Sequence, residues 1–441
     1  MTRGLFLSIQ KSGRDLMMTS QGLALFKRIR TLAVFVLIFP LLASPGPAAP
    51  PREYVALPGL MDLRTSFSDG AHSPEDLVTI ARLRGFRVLF FNDHHRIKLS
   101  YGIRPFRNLL KYSKEYPSIM THGPQVYLDE IDRLSRLYPD MILVPGAILS
   151  PFYYWSGSWL SGDLTVHNYD RKLLAFNLTK AEDYERLPTF TPYEGDLGIA
   201  PFQEMINRIQ ERGGLAFWNY PEQRSGVRKH GPVHVSTLPY PEVLRESLNY
   251  SGFAAIYGDR ITVTDPGKHW DRVLAEYCEG KRDRPAWGIS AADFHEDGKL
   301  GLRLGAFPTT FLVREVSKAA VLDALGQGRM YCSRGDGRVW VQLDDFHAAG
   351  PDGRKAHMGE TLTTTGFPLI RFRVSYRGDE KAPVAIHVVR GGSLLRTVEG
   401  NTPLEFEIVD EGVPPGRMTF YRLVDSAKHL TSNPIFVRRE R

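Results

Sequence analysis

Four short polar clusters hold the residues of this chain that chemistry would draw on: Ser68-Asp69-Gly70, Asn92-Asp93-His94-His95, Asn219-Tyr220-Pro221 and Asp293-Phe294-His295-Glu296. Asp69, His94, Asp293 and His295 are hard or borderline donors of the kind that bind Zn²⁺, Mn²⁺ or Fe²⁺. An ion held this way lowers the pKa of a bound water and stabilises charge on a phosphoryl or carbonyl oxygen. A single Asp-X-His is usually a loop with a hydrogen-bonded histidine, so the weight lies in the joint placement of the clusters. A basic loop follows Tyr220, with Arg224, Arg228, Lys229 and His230. Guanidinium groups bind phosphate or carboxylate through paired hydrogen bonds. The loop is therefore a candidate anion site, although a solvated basic loop has the same composition. The aromatic run Phe152-Tyr153-Tyr154-Trp155 either walls a cleft or packs beneath a long loop, and His95, Arg96 and Lys98 are expected at the rim or in solvent.

Each cluster closes or follows an apolar run, and the elements between them set their position. Ser73-Pro74-Glu75-Asp76 opens a helix: a serine N-cap, proline in the first turn, then acids. Leu77, Ile80, Ala81 and Leu83 are expected on its buried face, with Gly85 ending it and a strand over 86–91 following. The cycle repeats. Val126, Leu128, Ile131 and Leu134 stripe a helix before a strand at 141–144. Phe202, Met205, Ile206 and Ile209 stripe another before 215–218, and Trp270, Val273, Leu274 and Tyr277 precede 286–289. Repeated helix-after-strand order implies an α/β fold with parallel strands, and polar clusters at several strand ends favour a barrel. After Gly337 the period becomes two. Ile370, Phe372 and Val374 alternate with Leu369, Arg371 and Arg373, which suggests a small all-β sandwich. The expected domains are 1–50, 51–337 and 338–441.

The chain has 441 residues, 42% hydrophobic and 24% charged, the profile of a globular protein. Its formal charge is +7, but residues 1–50 carry six Lys/Arg against one acid, which leaves only +2 for the rest. A general nucleic-acid surface is therefore not supported. Lys27, Arg28 and Arg30 precede an apolar run from Leu32 to Ala43, and a Ser/Pro/Ala/Gly-rich exit follows. This reads as a signal for export to a periplasmic or extracellular location, with an uncleaved N-terminal membrane anchor as the alternative. Cys278 and Cys332 are expected to be buried free thiols.

Asp62-Leu63-Arg64-Thr65-Ser66-Phe67-Ser68-Asp69-Gly70, followed by Ser73-Pro74-Glu75-Asp76-Leu77, resembles the opening motif of the polymerase and histidinol phosphatase (PHP) family. Asn92-Asp93-His94 resembles its second motif and Ala292-Asp293-Phe294-His295 its last, while residues 324–331 are similar to the segment that closes such domains. The tail Ser432-Asn433-Pro434-Ile435-Phe436-Val437 resembles the end of the β-sandwich on a carbaryl-hydrolase-like branch. The resemblance covers nearly all of the chain after the signal. It implies a distorted parallel β/α barrel (PHP-like) holding up to three metal ions and hydrolysing phosphate esters or related bonds. The departures are severe. The family's opening His-X-His falls on Asp62 and Arg64, or, with a two-residue deletion, its first His falls on Arg64. The bridging Glu falls on Ile148. The next His falls on Lys172, with His167 as a weaker substitute, and the His of a His-Pro pair falls on Tyr220. Two cations a few ångströms apart repel strongly unless a shared anion lies between them, and isoleucine cannot supply one.

Two readings follow from the resemblance. In the first, the protein is an exported PHP-type hydrolase with one divalent metal (Zn, Mn or Fe) held by Asp69, His94 and His295. Asp293 would orient water or complete the shell, and Arg64 would stabilise an anionic transition state. In the second, it is a catalytically inactive PHP-fold binding protein without a metal. Arg64 and Lys172 would then replace metal charge, and Lys172, Arg224, Arg228 and Lys229 would bind a small anionic or phosphorylated ligand at the barrel mouth, walled by Asp62, Ile148 and Tyr220.

Overall fold

The computed structural model describes residues 54–440 apart from 104, 105, 107, 108, 191, 193, 194, 224, 225, 232, 259, 260, 300, 301, 379 and 380. The expected signal or anchor and Arg224 lie outside the described residues. Among the described residues no helix is long and apolar enough to cross a membrane.

Local signals place the first elements well. Strand β1 (Val55–Leu63) leads through a turn to helix α1 (Pro74–Leu83). The Ser73 side chain accepts from the Asp76 amide at 3.1 Å, and the Asp76 carboxylate accepts from the Ser73 amide at 3.0 Å, a capping box. The buried face is Leu77, Val78 and Ala81, whereas Leu83 is 84% exposed. Leu83 lies six residues beyond Leu77, about 240° around the helix, so it cannot share that face. The same correction applies to helix α2 (Pro124–Leu137), where Tyr127 rather than Val126 joins Leu128, Ile131 and Leu134 inside.

Strands β2 (Val88–Phe91), β3 (Ile142–Leu149), β4 (Lys172–Phe176), β5 (Leu215–Asn219), β6 (Gly252–Ile256) and β7 (Trp287–Ser290) follow β1 in that order across one large curled sheet. Helices α3 (Ala200–Glu211) and α4 (His269–Cys278) connect β4 to β5 and β6 to β7. The sheet is not all parallel. β1–β2, β2–β3, β5–β6 and β6–β7 pair parallel, but β4 runs antiparallel to both its neighbours. The cause lies between β3 and β4. Residues 150–171 form only the short strands Tyr154–Ser156 and Thr165–His167, with no crossover helix to carry the chain back to the starting edge.

On the free edge of β1, strand β8 (Pro308–Val313) pairs antiparallel with Val55–Leu60. Beyond it, the segment following β7 takes over. The Phe294 amide donates to Asp62 O at 3.2 Å and the Arg64 amide to Phe294 O at 2.9 Å, with a single bridge between Leu63 and Phe294. The curl thus brings the end of β7 back to the end of β1 through one bridge rather than a long ladder.

Arg52–Arg441 form one compact unit. The change of rhythm after Gly337 is real, yet the sheet does not stop there. Strand β9 (Met330–Ser333) pairs with the strand Leu430–Ser432. A four-stranded sheet built on Val341–Ala349 and Leu369–Tyr376 shares a second core with strands Pro383–Arg390 and Met418–Asp425 of the large sheet. Asn433 bolts this region to β7 and β9. Its amide receives Gly288 N at 2.7 Å and donates to Gly288 O and Met330 O at 3.0 and 2.9 Å. Cys278 and Cys332 are free thiols, the first only partly buried.

A second bolt is ionic. Arg422 is fully buried and reaches both Asp271 oxygens, at 2.6 and 2.8 Å, with its guanidinium 4.9 Å from the Trp270 ring centre. Breaking such a pair leaves an uncompensated buried charge. Arg422→Ala is expected to lower unfolding free energy by about 3–5 kcal/mol, and replacing both partners by apolar residues should restore much of the loss. Chemical denaturation measures both; a single-variant loss within error of zero would contradict this role for the pair.

Candidate active site at the strand ends

The site forms where β1, β2, β5 and β7 end and β4 begins. Because β4 is antiparallel, its first residue, Lys172, lies opposite Asn219 at the end of β5. This brings Lys172 to the same mouth as the residues that close the other strands.

Asp62 is the hub. It is fully buried and takes φ +65°. Its amide donates to Asn92 Oδ1 at 3.0 Å, and its Oδ2 accepts the Asp293 amide at 3.0 Å and Asn219 Nδ2 at 3.5 Å. Its Oδ1 takes a short charged contact from Arg64. The Arg64 guanidinium, also with no exposure, reaches Asp293 Oδ1 at 3.2 Å and the Asn92 carbonyl at 3.1 Å. Burial works against its charge, but Asp62, Asp293 and Asp69 outweigh that and hold it more firmly protonated than usual. Tyr220 (φ +47°) and Asp293 (φ +47°) join Asp62 in the left-handed region. Such conformations cost roughly 1–3 kcal/mol each and persist where surrounding contacts impose them. All three stand at strand ends facing this mouth.

Asp69 is presented by the turn after β1. Gly70 is required there, because a Cβ would lie 2.4 Å from the Arg64 carbonyl oxygen. The turn is held from below by Asp93, whose carboxylate accepts Thr65 N and Ser68 Oγ at 2.7 Å each and Thr65 Oγ1 at 2.8 Å. Asp69 Oδ2 then lies 3.6 Å from His94 Nε2 and 3.3 Å from His295 Nε2. His295 Nδ1 faces its other neighbour, the Asp293 carbonyl, at 2.7 Å. That contact makes Nδ1 a donor to the carbonyl and turns Nε2 toward Asp69, where a hydrogen bond needs the second ring proton of the charged imidazolium. Two outer contacts steady the His295 loop: Arg84 grips Asp297 at 2.9 and 2.6 Å, and Ala71 N donates to His295 O at 2.8 Å.

The electrostatics separate the two histidines. Burial, then the Lys172 and Arg64 charges, hold His94 well below the usual imidazole range. His295 moves up instead: burial opposes its charge, but the hydrogen bond to Asp69 prevails. Burial likewise opposes ionisation of Asp69, yet His295, His94 and Arg64 together keep its carboxyl far below the usual range. His94 is thus the neutral donor and Asp69 the anion.

Several sequence expectations take a different form. Arg64 has no solvent exposure: its two terminal nitrogens face Asp62, Asp293 and Asn92, and its Nε is buried without a partner, so no part of it is open at the mouth. Ile148 is buried in β3 and contributes backbone only: its amide donates to Asp93 O and its carbonyl accepts His95 N, each at 2.9 Å. Tyr220 is buried against Tyr257, with its hydroxyl unpaired. Lys172 and Arg228 meet on Asp170, Lys172 at 3.8 Å and Arg228 in a short contact. Lys229 is exposed on strand Gly226–His230. His95 is buried rather than at the rim, with Nε2 donating to Tyr184 O at 2.9 Å. Phe152 is in the core, and Tyr153 lines a cavity beside Arg96 and Lys98. Asp93 and Asp170 carry structural roles that the sequence reading passed over. The run Asp170-Arg171-Lys172 at the start of an apolar strand was the available signal for the second.

Among the described residues no group of three or more His, Cys, Asp or Glu closes around one point as a metal shell does. In Asp69, His94 and His295 a single carboxylate oxygen lies between the two imidazoles. The two separations are nevertheless those of adjacent donors around an ion with bonds of roughly 2.0–2.2 Å.

No protein-family model matches the chain, and no curated protein does. Among solved structures it is similar to a two-domain Bacteroides vulgatus protein containing a predicted PHP-like metal-dependent phosphoesterase. That match has 11% identity and a TM-score of 0.41, covering 87% of this chain and 95% of the other. A candidate metal-dependent phosphoesterase from Bifidobacterium adolescentis matches at 14% identity and TM-score 0.30, covering 55% and 89%. Fibronectin(III)-like modules of Clostridium thermocellum CbhA match 23% of this chain and 99% of their own length, at 14% identity and TM-score 0.15. At this divergence the chemistry has to come from the site's own residues.

Buried His95 makes a pH dependence. Burial, and to a smaller degree Arg96, push its pKa down to about 4, against the hydrogen bond to Tyr184. The unfolded chain takes up this proton below about 6.5 while the folded chain does not. Stability should therefore fall as pH drops from about 6.5 toward 4, by on the order of 3 kcal/mol from this residue. Urea unfolding across that range should show a shallower slope for His95→Gln than for the parent; identical slopes would refute the assignment.

Proposed function

We propose that this chain is a PHP-type hydrolase of an anionic ester, phosphoesterase-like, working with at most one divalent cation held by Asp69, His94 and His295. The observation that carries the reading is the placement of two imidazole nitrogens, from residues far apart in sequence, at 3.3 and 3.6 Å from one Asp69 carboxylate oxygen. The donor types are those that bind one ion, a carboxylate and two imidazole nitrogens with His94 kept neutral by burial, although here they stand around the Asp69 oxygen rather than around a common point. A bound Zn, Mn or Fe ion would supply Lewis acidity at this point. A second ion does not fit. Arg64 already places a fixed positive charge between Asp62 and Asp293, and Ile148 offers no bridging carboxylate.

The remaining residues divide the work. Asp293, with its side chain 44% exposed, faces the mouth and is placed to accept a proton or orient water. Lys172 and Arg228 share one counter-ion, Asp170, so one positive charge is left over to attract the substrate's anionic group. Arg64 stabilises developing negative charge through its field, without contact. The barrel closure, the β-sandwich after residue 337, the carbaryl-hydrolase-like branch, and export to a periplasmic or extracellular location belong to the same proposal. A second reading, an inactive binding protein, is favoured by the fully buried Asp62–Arg64 pair, which supplies charge without a metal.

Metal analysis of purified protein separates the two. The hydrolase should carry up to one equivalent of Zn, Mn or Fe and cleave a p-nitrophenyl phosphate ester. His94→Ala should lose the metal and cut turnover by at least a hundredfold, since removing even a hydrogen-bond partner of a metal ligand typically costs roughly 10–100-fold and removing the ligand costs more. Protein that retains no metal after reconstitution, and shows no turnover, would leave the binding module as the function.

A further inference from the structure

Beside the strand-end site, and not lined by any of Asp69, His94, Asp293 or His295, lies an open cavity of about 270 Å³. His95 and Arg96 form one side of it. Lys98 and Lys111 come from the hairpin of strands Ile97–Gly102 and Lys111–Tyr116, and Tyr153, Phe190 and Met205 supply apolar wall. We propose that this cavity is a second ligand site, for a small molecule that carries an oxyanion, carboxylate or phosphate, on a flat apolar body.

Three observations support it. First, the lining holds Arg96, Lys98 and Lys111 and no Asp or Glu. Lys98 alone has an acidic partner, Glu115 at 3.2 Å, outside the lining. Neither Arg96 nor Lys111 has a carboxylate partner among the described residues. A cleft lined by one sign of charge concentrates ions of the other sign.

Second, Arg96 Nε is buried without a hydrogen-bond acceptor. A buried charged donor left unpaired is costly, and an oxyanion that offers two oxygens, carboxylate or phosphate, is the group that a guanidinium pairs with best. His95 does not compete for the anion. Its Nε2 is committed to the Tyr184 carbonyl.

Third, the polar and apolar walls are on separate elements that are each fixed. Tyr153 is tied to the hairpin by Ser100 N, which donates to its hydroxyl at 2.8 Å, and its ring meets Tyr169 edge-on at 5.8 Å. The cavity sits near the lower end of the size range for small-molecule sites, which suits one ring and one anionic group. The inference stands apart from the hydrolase reading, since no residue of the Asp69–His94–His295 cluster takes part.

The test is calorimetric titration of the full chain with phenyl phosphate, benzoate, inorganic phosphate and phenol. Phenyl phosphate or benzoate should bind in the micromolar to low-millimolar range, more tightly than either phosphate or phenol alone. Arg96→Gln should weaken that binding roughly tenfold or more, the scale of a lost charged hydrogen bond. Lys111→Ala, on an exposed residue that folding does not need, should weaken it severalfold. Asp69→Asn, at the strand-end site, should leave it intact. The proposal is overturned if none of the probes binds saturably, or if binding survives both Arg96→Gln and Lys111→Ala. Loss of binding in Asp69→Asn with both cation variants unaffected would assign the ligand to the strand-end site instead, and also overturns it.

Discussion

A guanidinium with no access to water sits between two carboxylates at the heart of this molecule, and most of the mouth is arranged around that charge. Placing Arg64 there without partners would be prohibitive in a low-dielectric interior. Asp62 and Asp293 make it tolerable, and each is bent into a left-handed backbone conformation. The same residues link the ends of β1 and β7. Asp62 Oδ2 takes the Asp293 amide, and Asp62 O takes the Phe294 amide. Curvature of the sheet, strain at three strand ends and the charge of the site are therefore one structural problem with one solution.

The second constraint is the direction of β4. A parallel strand would have carried Lys172 to the far end of the sheet. The antiparallel return puts it at the mouth, where its charge reaches His94 and meets Asp170. Arg228 arrives at the same aspartate from the hairpin of Gly226–His230 and Val233–Thr237. Two cations on one anion leave a positive excess beside a carboxylate flanked by imidazoles. That combination is the one on which the proposed function rests.

The region after residue 337 is part of this arrangement rather than an appendage. Asn433 satisfies backbone groups of β7 and β9, and Arg422 satisfies Asp271 on α4. Both sit directly behind the strand whose end carries Asp293.

Much of this was legible in the amino-acid order alone. Local signals suffice where the cause is local: the Ser73 cap, the helical stripes, the switch to period two, and the polar residues that end apolar runs. The exceptions were faces and directions. Leu83 and Val126 read as core but point outward, because apolar character does not fix angular position around a helix. The direction of β4 depended on a missing crossover helix, and no residue of β4 itself announces that. The candidate donors Asp69, His94 and His295 could be named from sequence. Whether they meet, whether Arg64 faces ligand or is sealed inside, and whether Asp93 and Asp170 matter at all were decided by tertiary contacts. Charge and burial are properties of neighbours, and in this fold the decisive neighbours lie up to 231 residues apart along the chain.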